Sequence, residues 1–254
     1  YEVAKRWGIF NETFAPTEET FSFLEDILKE VMELFPSKFI HIGGDEVIKK
    51  EWKESSYAQK VIKREKLKNE NELQSYFIRR IEKFLNANNR KIIGWDEILE
   101  GGIAPNATVM SWRGVEGGIA AAKQHHTVIM TPGTHCYFDY YQVGKEGQKK
   151  EALTGSKRYT TVEKVYSYEP TPSELSAEER KYILGAQGNV WTEYMPTWNL
   201  VEYNVLPRMT ALSEVVWSTK KNRNWEDFHK RLKHIVKRYD ALGYNYAKHS
   251  INNK

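Results

Sequence analysis

Apolar residues in this chain follow two alternating patterns, one with the period of an α-helix and one typical of short buried strands. The helical pattern predicts helices over residues 18–35, 70–87, 115–123, 198–217 and 225–242. The strand pattern predicts one short strand that ends in the segment 41–46. It predicts four more over residues 91–95, 108–112, 126–131 and 183–191. Helices and strands alternate along most of the chain, and this order is typical of parallel strands joined by crossover connections.

Residue types at the helix ends support these boundaries. Thr17 and Asn224 are suitable N-cap residues for the first and last of these helices. A capping box at residues 176–179 predicts a further short helix that ends near Tyr182. Pro207 lies inside the fourth predicted helix, where a proline is expected to cause a kink.

Polar and aromatic side chains follow the predicted strands at the point where each strand ends. An α/β protein with parallel strands binds its ligands at this edge, both in a TIM barrel and in an open doubly wound sheet. The glycines in these turns match neither the GxGxxG nor the GxxxxGK[ST] pattern, so a nucleotide site is not predicted. Only five strands are predicted, whereas a closed TIM barrel needs eight.

Composition narrows the class of protein further. The chain has 254 residues, 40% of them hydrophobic, and no apolar run long enough to span a membrane. Its net charge of +4 comes from lysine-rich helical surfaces without a recognised nucleic-acid-binding motif, so nucleic-acid binding is not predicted. The single cysteine, Cys136, excludes an intrachain disulfide and a cysteine-based zinc site. The 8 Trp and 15 Tyr suit the binding of sugar rings, although core packing is the default role of any one of them.

The segment His41-Ile42-Gly43-Gly44-Asp45-Glu46 places two adjacent carboxylates behind a pair of glycines at the end of a strand. Such acids are used in acid/base catalysis, although acids at a helix N-terminus also occur for purely structural reasons. In a regular strand Asp45 and Glu46 would face opposite sides, and the preceding glycines make it easier for the backbone to leave that geometry. We expect an ionised Asp45 to raise the pKa of Glu46.

Five such segments in order resemble the catalytic domain of glycoside hydrolase family 20, the β-N-acetylhexosaminidases. They are HIGGDE at 41–46, GWDE at 94–97, SW at 111–112, YFD at 137–139 and GNVWTE at 188–193. The resemblance covers nearly the whole chain. It implies an exo-acting retaining enzyme that hydrolyses terminal non-reducing β-linked GlcNAc or GalNAc, with the substrate's own acetamido group as the nucleophile and without a cofactor or metal.

The resemblance also implies a role for each candidate site residue. Glu46 is the general acid and then the base, Asp45 orients the acetamido N–H, and Tyr137 donates to the acetamido oxygen. The substrate-binding residues are the aromatic side chains Trp95, Trp112 and Trp191 and the hydroxyl acceptors Asp139 and Glu193. His41 is expected to support the acid pair from behind, although a core histidine is an open alternative.

The resemblance implies a (β/α)8 TIM barrel of which this chain supplies about strands 4 to 8 and their helices. Residues 1–254 are then a single domain that lacks the N-terminal strands and the preceding small domain, and the missing part of the barrel or a second chain is expected as a partner. An extracytoplasmic location is implied as well. Two alternatives stay open: a carbohydrate-binding fragment without catalysis, and a glycosidase with a protein carboxylate as nucleophile.

Overall fold

The computed structural model describes residues 5–6, 8–144 and 158–252. The chain divides into two compact units. The first unit is formed by residues 1–111 and 116–128, and the second by residues 112–115 and 129–254. Each unit contains helices together with strands, as an α/β protein requires.

The first unit contains three parallel strands in which spatial order follows chain order. Its elements are α1 (Glu18–Leu34), β1 (Phe39–His41), α2 (Lys50–Glu54), α3 (Ser56–Arg64), α4 (Glu70–Ala87), β2 (Lys91–Trp95), β3 (Thr108–Ser111) and α5 (Glu116–Lys123). Ile40 of β1 is paired with Ile92 of β2, and Gly94 of β2 with Val109 of β3. The connection from β1 to β2 contains α2, α3 and α4, whereas the connection from β2 to β3 contains a single 3₁₀ helix, Asp96–Leu99, and no α-helix.

The core of the first unit lies between these strands and α4. Ile92 and Val109 are completely buried, as are Leu73 and Leu85 of α4. Helix α1 begins after the predicted cap, because the Thr17 side chain accepts a hydrogen bond from the Thr20 backbone N–H. Its apolar stripe is only partly covered, however, since Phe21 is the one residue of the helix that is fully buried and Leu24, Leu28 and Val31 are half-buried.

The second unit contains the remaining strands and a set of helices that pack beside them. Strand β4 (Val128–Met130) begins at the last residue of the first unit, and the next elements are α6 (Val162–Tyr166), β5 (Ile183–Ala186), α7 (Trp198–Val205), α8 (Arg208–Trp217), α9 (Trp225–Leu242) and α10 (His249–Asn252). β4 and β5 are neighbours, and the Gln187 backbone N–H donates to the Met130 carbonyl at 3.0 Å. Phe138, Val165, Phe228 and Leu232 are completely buried in this unit.

Several predicted elements are confirmed and others are corrected. The helices predicted over 70–87 and 225–242 are confirmed as α4 and α9, with the same first and last residues. The capping box at 176–179 forms, but only a single 3₁₀ turn follows it, over Glu179–Tyr182, instead of an α-helix. The predicted helix over 198–217 is two helices, because Pro207 interrupts it instead of bending it.

The strand predicted over 183–191 was too long. β5 ends at Ala186, and beyond it Asn189 forms an isolated parallel bridge with Tyr137 instead of continuing the strand. The strand predicted over 126–131 is likewise shorter, at Val128–Met130. In both cases the residues beyond the strand ends are mostly polar and outside the core, among them the exposed Gln187 and the partly exposed His126 and Thr127.

Candidate active site

The acid pair lies on a loop that leaves β1 through a run of left-handed backbone. Strand pairing continues to Ile42, whose N–H donates to the Ile93 carbonyl at 2.9 Å. Gly43 then has φ 73°, Gly44 φ 93° and Glu46 φ 51°. Left-handed conformation is easy for glycine but uncommon for other residues, and at a residue such as Glu46 it marks a functional site more often than chance. The backbone therefore leaves the strand geometry at the glycines, as the sequence predicted.

Close packing holds this loop, which we call the acid loop (residues 43–46), against the first unit. A Cβ atom on Gly44 would lie 2.6 Å from Cγ2 of Ile98. The Gln74 side-chain amide donates to the Gly44 carbonyl at 2.9 Å, and the Trp95 backbone N–H donates to the Gly43 carbonyl at 2.9 Å. The acid loop is thus fixed to both α4 and β2 through its main chain, while its two carboxylates are exposed.

The surroundings of Glu46 favour its protonated form. Partial loss of water around the carboxyl group raises the pKa of Glu46, and the negative charge of Asp45 acts in the same direction. The expected influence of Asp45 is therefore present, although desolvation is the larger cause. A carboxylic acid that keeps its proton at higher pH is suited to general acid catalysis.

His41 and Trp95 lie directly behind the acid loop. Nδ1 of His41 accepts a hydrogen bond from the Gly43 N–H at 3.1 Å, and its ring centroid is 4.7 Å from that of Trp95. Desolvation of the ring lowers the pKa of His41, and Asp45 opposes this shift. A neutral imidazole is required for Nδ1 to accept from Gly43, and the lowered pKa favours this neutral form. Trp95 itself is buried, with 9% of its surface exposed.

Tyr137 is the centre of an aromatic group in the second unit. Its ring is stacked with Trp112 at 6.1 Å between centroids, and its hydroxyl hydrogen-bonds to the side chains of Asn189 and Trp191. Burial raises the pKa of Tyr137 above its ordinary value of 10, and these two hydrogen bonds act in the opposite direction. The hydroxyl therefore stays protonated at physiological pH. An indole N–H is a donor only, so the Tyr137 oxygen accepts the bond from Trp191.

Asn189 is a residue of this group that sequence reasoning missed. It is 4% exposed, its main chain bonds to the Cys136 carbonyl and the Phe138 N–H, and its side chain donates to Oγ1 of Thr131 at 2.6 Å. It thereby joins the segment that carries Tyr137 to the segment that carries Trp191. An asparagine inside the strand predicted over 183–191 was the available signal, because asparagine is depleted in strands.

Asp139 is a partly buried acid in the same unit. Burial raises its pKa from 3.8 to about 6, a hydrogen bond from its own N–H and the charge of Arg208 lower it, and Glu193 raises it. Within the described part of the chain, Oδ1 of Asp139 is buried without a hydrogen-bond partner. A buried acceptor without a donor is unfavourable, so this oxygen is suited to receive a hydroxyl from a ligand. Glu193 is exposed.

The predicted site residues thus form two groups. The first unit brings together Asp45, Glu46, His41 and Trp95, and the second brings together Trp112, Tyr137, Trp191, Asp139 and Glu193. Of the five tryptophans outside the matched segments, Trp52 is buried, Trp225 is half-buried, Trp198 and Trp217 are exposed, and Trp7 lies outside the described residues. Among described residues there is neither a metal-binding group of three or more His, Cys, Asp or Glu nor a helix long and apolar enough to cross a membrane.

This chain is similar to known beta-hexosaminidases from bacteria and animals. The chain is 46% identical over 242 residues to a beta-hexosaminidase of Porphyromonas gingivalis, covering 94% of this chain and 31% of that one. The solved chitobiase of Flavobacterium johnsoniae has a TM-score of 0.80 at 30% identity, covering 96% of this chain and 35% of that one. An exo beta-N-acetylglucosaminidase of Vibrio harveyi, solved with N-acetylglucosamine, has a TM-score of 0.79 at 29% identity and covers 90% and 36%.

The chain spans about a third of the length of these relatives. The family model described as the catalytic domain of glycosyl hydrolase family 20 matches residues 1–220. That match takes in every predicted site residue of both groups. The chain belongs to glycosyl hydrolase family 20.

Proposed function

We propose that this chain carries catalytic residues of an exo-acting retaining β-N-acetylhexosaminidase that removes terminal β-linked GlcNAc or GalNAc from glycans. The observation that carries the proposal is the acid loop, where Glu46 has a left-handed backbone and a raised pKa directly beside Asp45. The names of the relatives, beta-hexosaminidase and chitobiase, support the same substrate class.

In the first step, Glu46 gives its proton to the glycosidic oxygen while the bond from that oxygen to C1 breaks. The acetamido oxygen of the same sugar forms a bond to C1, which gives a cyclic oxazolinium ion and releases the leaving alcohol. Asp45 accepts a hydrogen bond from the acetamido N–H and stabilises the positive charge. Tyr137 donates its phenolic hydrogen to the acetamido oxygen.

In the second step, the Glu46 carboxylate takes a proton from water, and the water oxygen attacks C1. The bond between C1 and the acetamido oxygen breaks, and Glu46 is again protonated. Two displacements at C1 leave the β configuration unchanged. Trp95, Trp112 and Trp191 contact the apolar parts of the sugar, while Asp139 and Glu193 accept hydrogen bonds from its outer hydroxyls.

Glu46→Gln tests the acid role, because glutamine keeps the shape of the side chain but cannot donate a proton as an acid. We expect kcat for a chromogenic β-GlcNAc substrate to fall about 10²- to 10⁴-fold, as measured by release of the phenol. Glu54→Gln, which changes an exposed acid of α2, is the control and is expected to be neutral. Turnover by Glu46→Gln equal to that of the unmodified protein would exclude this role.

A thiazoline analogue of the oxazolinium ion separates the proposed mechanism from its alternatives. Competitive inhibition by this analogue, together with impaired hydrolysis in Asp45→Asn, is expected if the acetamido group is the nucleophile. A covalent sugar–enzyme adduct trapped with a fluorosugar would instead identify a protein nucleophile. Binding of GlcNAc by calorimetry without any turnover would identify a carbohydrate-binding fragment.

We propose further that residues 1–254 form one part of a (β/α)8 barrel, about strands 4 to 8, and that further βα units of the same polypeptide cover the first unit. An apolar groove of about 360 Å³ supports this, because it lies against the open face of α1 and is lined by Leu24, Ile27, Leu28, Phe77 and Ile81 among others. Phe14, Phe23 and Phe35 are also more than half exposed. An extracytoplasmic location is proposed from the family alone.

A further inference from the structure

Arg208 is an arginine with no solvent exposure at all, and it lies at the start of α8 in the second unit. It occupies the apolar face of that helix, whose other buried residues are Ala211, Leu212 and Val215. A charged side chain at a helical core position is costly unless its hydrogen-bonding groups are satisfied. The hydrogen bonds of the Arg208 guanidinium therefore explain why a charged side chain is tolerated at this buried position.

The guanidinium of Arg208 donates to main-chain carbonyls on three other segments. Nη1 donates to the carbonyls of Tyr140 at 2.9 Å and Thr160 at 3.1 Å, and Nη2 donates to the carbonyl of Phe138. Nε donates to the Asn204 carbonyl at 3.0 Å. The guanidinium carbon also lies 5.2 Å from the centroid of the Phe138 ring. Such a planar fork can bind several acceptors in one fixed arrangement, which a lysine ammonium cannot reproduce.

Two of these carbonyls belong to the segment 137–140, which carries Tyr137 and Asp139. The carbonyl of Phe138 belongs to the peptide bond that precedes Asp139, and the carbonyl of Tyr140 lies one residue beyond it. The Phe138 N–H donates to the Asn189 carbonyl at 2.8 Å, so the segment is held on both sides. Fixing these peptide planes restricts the directions in which Tyr137 and Asp139 can point.

We propose that Arg208 is a positioning residue, which holds segment 137–140 so that the Tyr137 hydroxyl and the Asp139 carboxylate meet the substrate in the productive arrangement. The inference rests on the proposed function, in which these two groups bind the acetamido oxygen and a sugar hydroxyl. Arg208 itself is completely buried and acts through the main chain. Its charge has a second effect, because it lowers the pKa of Asp139 against the effects of burial and Glu193.

Arg208→Lys keeps the charge and removes the fork, so it tests positioning in the natural full-length polypeptide. We expect kcat/KM for a chromogenic β-GlcNAc substrate to fall about 10- to 100-fold, the range expected for a small displacement of groups that bind the reacting atoms. The same change is then made in Tyr137→Phe. If Arg208 acts through segment 137–140, its effect falls to about 3-fold or less in that background, because interacting residues are non-additive.

Arg223→Lys is the matched control. Arg223 is also largely buried, with 7% of its side chain exposed, and it donates to the Tyr168 carbonyl and pairs with Glu169. If a variant only lowers stability, its fold-loss of kcat/KM and that of Tyr137→Phe multiply in the double variant. We expect this result for Arg223→Lys. Multiplying factors for Arg208→Lys would overturn the proposal.

Hydrogen exchange gives a readout that does not depend on activity. We expect Arg208→Lys to increase exchange at the Phe138 amide, which donates to Asn189, more than at the amides of α9. Unchanged exchange at Phe138 would contradict the proposal even in a protein without hydrolase activity. An unmodified protein that fails to hydrolyse the substrate would instead contradict the proposed function.

A second variant reaches the same segment if Arg208→Lys does not fold. A Cβ atom on Gly188 would lie 2.4 Å from the Phe138 ring, and Phe138 is completely buried. Gly188→Ala is therefore expected to displace segment 137–140, to increase exchange at Phe138, and to be non-additive with Tyr137→Phe. Additive factors and unchanged exchange would overturn the proposal here as well.

Discussion

Two carboxylic acids of this chain have raised pKa values for different local reasons, and their roles differ accordingly. Glu46 is exposed and combines partial desolvation with a charged neighbour, Asp45. Asp139 is more deeply enclosed, and its Oδ1 has no hydrogen-bond partner among the residues described. An acid that keeps its proton suits proton transfer, whereas a buried acceptor without a donor suits recognition of a hydroxyl.

Asp139→Asn is expected to stabilise the protein at neutral pH while it weakens substrate binding. The pKa of Asp139 is raised from 3.8 to about 6, so the folded state holds the proton more tightly and its stability falls as the pH rises through this interval. Asparagine removes this loss, and we expect about 1 to 3 kcal/mol more unfolding free energy at pH 7 than in the unmodified protein.

Urea unfolding at pH 4 and pH 7 measures the effect of Asp139→Asn. The gain is expected to disappear at pH 4, where the folded unmodified protein is also protonated at this position. The KM for the β-GlcNAc substrate is expected to rise at pH 7, since an amide is a weaker acceptor than a carboxylate. Equal stability of the two proteins at pH 7 would contradict the pKa assignment.

Among the elements, the end of β1 determines how the acids are presented. A strand that continued regularly through Asp45 and Glu46 would send the two side chains to opposite faces. Gly43 and Gly44 prevent this with left-handed backbone, and the loop is then anchored by hydrogen bonds from Gln74 and Trp95. The backbone and its packing, rather than the acids themselves, set the directions of the Asp45 and Glu46 side chains.

Gly44→Ala is therefore expected to impair catalysis out of proportion to its effect on stability. Gly44 has φ 93°, and a Cβ there would lie 2.6 Å from Ile98. Ile98 is completely buried and has little room to yield, so we expect the loop to be displaced, kcat/KM to fall at least about 10²-fold, and about 1 to 3 kcal/mol of stability to be lost.

Gly243→Ala is the control for strain alone. Gly243 also has left-handed backbone, with φ 72°, but it caps α9 and a Cβ there meets nothing within 4 Å. A loss of about 1 kcal/mol with unchanged kcat/KM is expected, as measured by urea unfolding and steady-state assay. Equal losses of activity in the two variants would show that strain, and not displacement of the acid loop, is responsible.

At the scale of the whole molecule, a charge placed on the open face of α1 is expected to affect the stability of residues 1–254 and of the longer polypeptide proposed above differently. Ile27 is 42% exposed and lines the apolar groove. We expect Ile27→Lys to have almost no effect on the stability of residues 1–254 alone. In the natural full-length polypeptide, where the groove is proposed to be covered, we expect a loss of about 2 kcal/mol or more, because a charge would be buried there.

Glu30→Lys changes an exposed residue of the same helix and is expected to be neutral in both proteins. Urea unfolding gives the free energies, and binding of the dye ANS, which reports exposed apolar surface, is expected for residues 1–254 and not for the full-length polypeptide. Tolerance of Ile27→Lys in both proteins would mean that nothing covers this face.

Local sequence patterns were sufficient to predict several helices, the break at the end of β1 and the family of this protein. Helices α4 and α9 and the N-caps of α1 and α9 follow from neighbouring residues, because a helix bonds residues four positions apart and an N-cap satisfies donors in its own first turn. The HIGGDE segment likewise predicted its own break in the strand, because the glycines that make it possible are adjacent to the acids. Family membership follows from five such local segments.

Tertiary structure alone decided what holds these segments in place. Arg208 interrupts an apolar helix face, which was a visible signal, but its acceptors at Tyr140 and Phe138 lie 68 and 70 positions away in the chain. Asn189 reaches Thr131 across 58 positions. Contacts of this kind depend on which segments become neighbours after folding, and periodicity, propensity and capping carry no information about that choice.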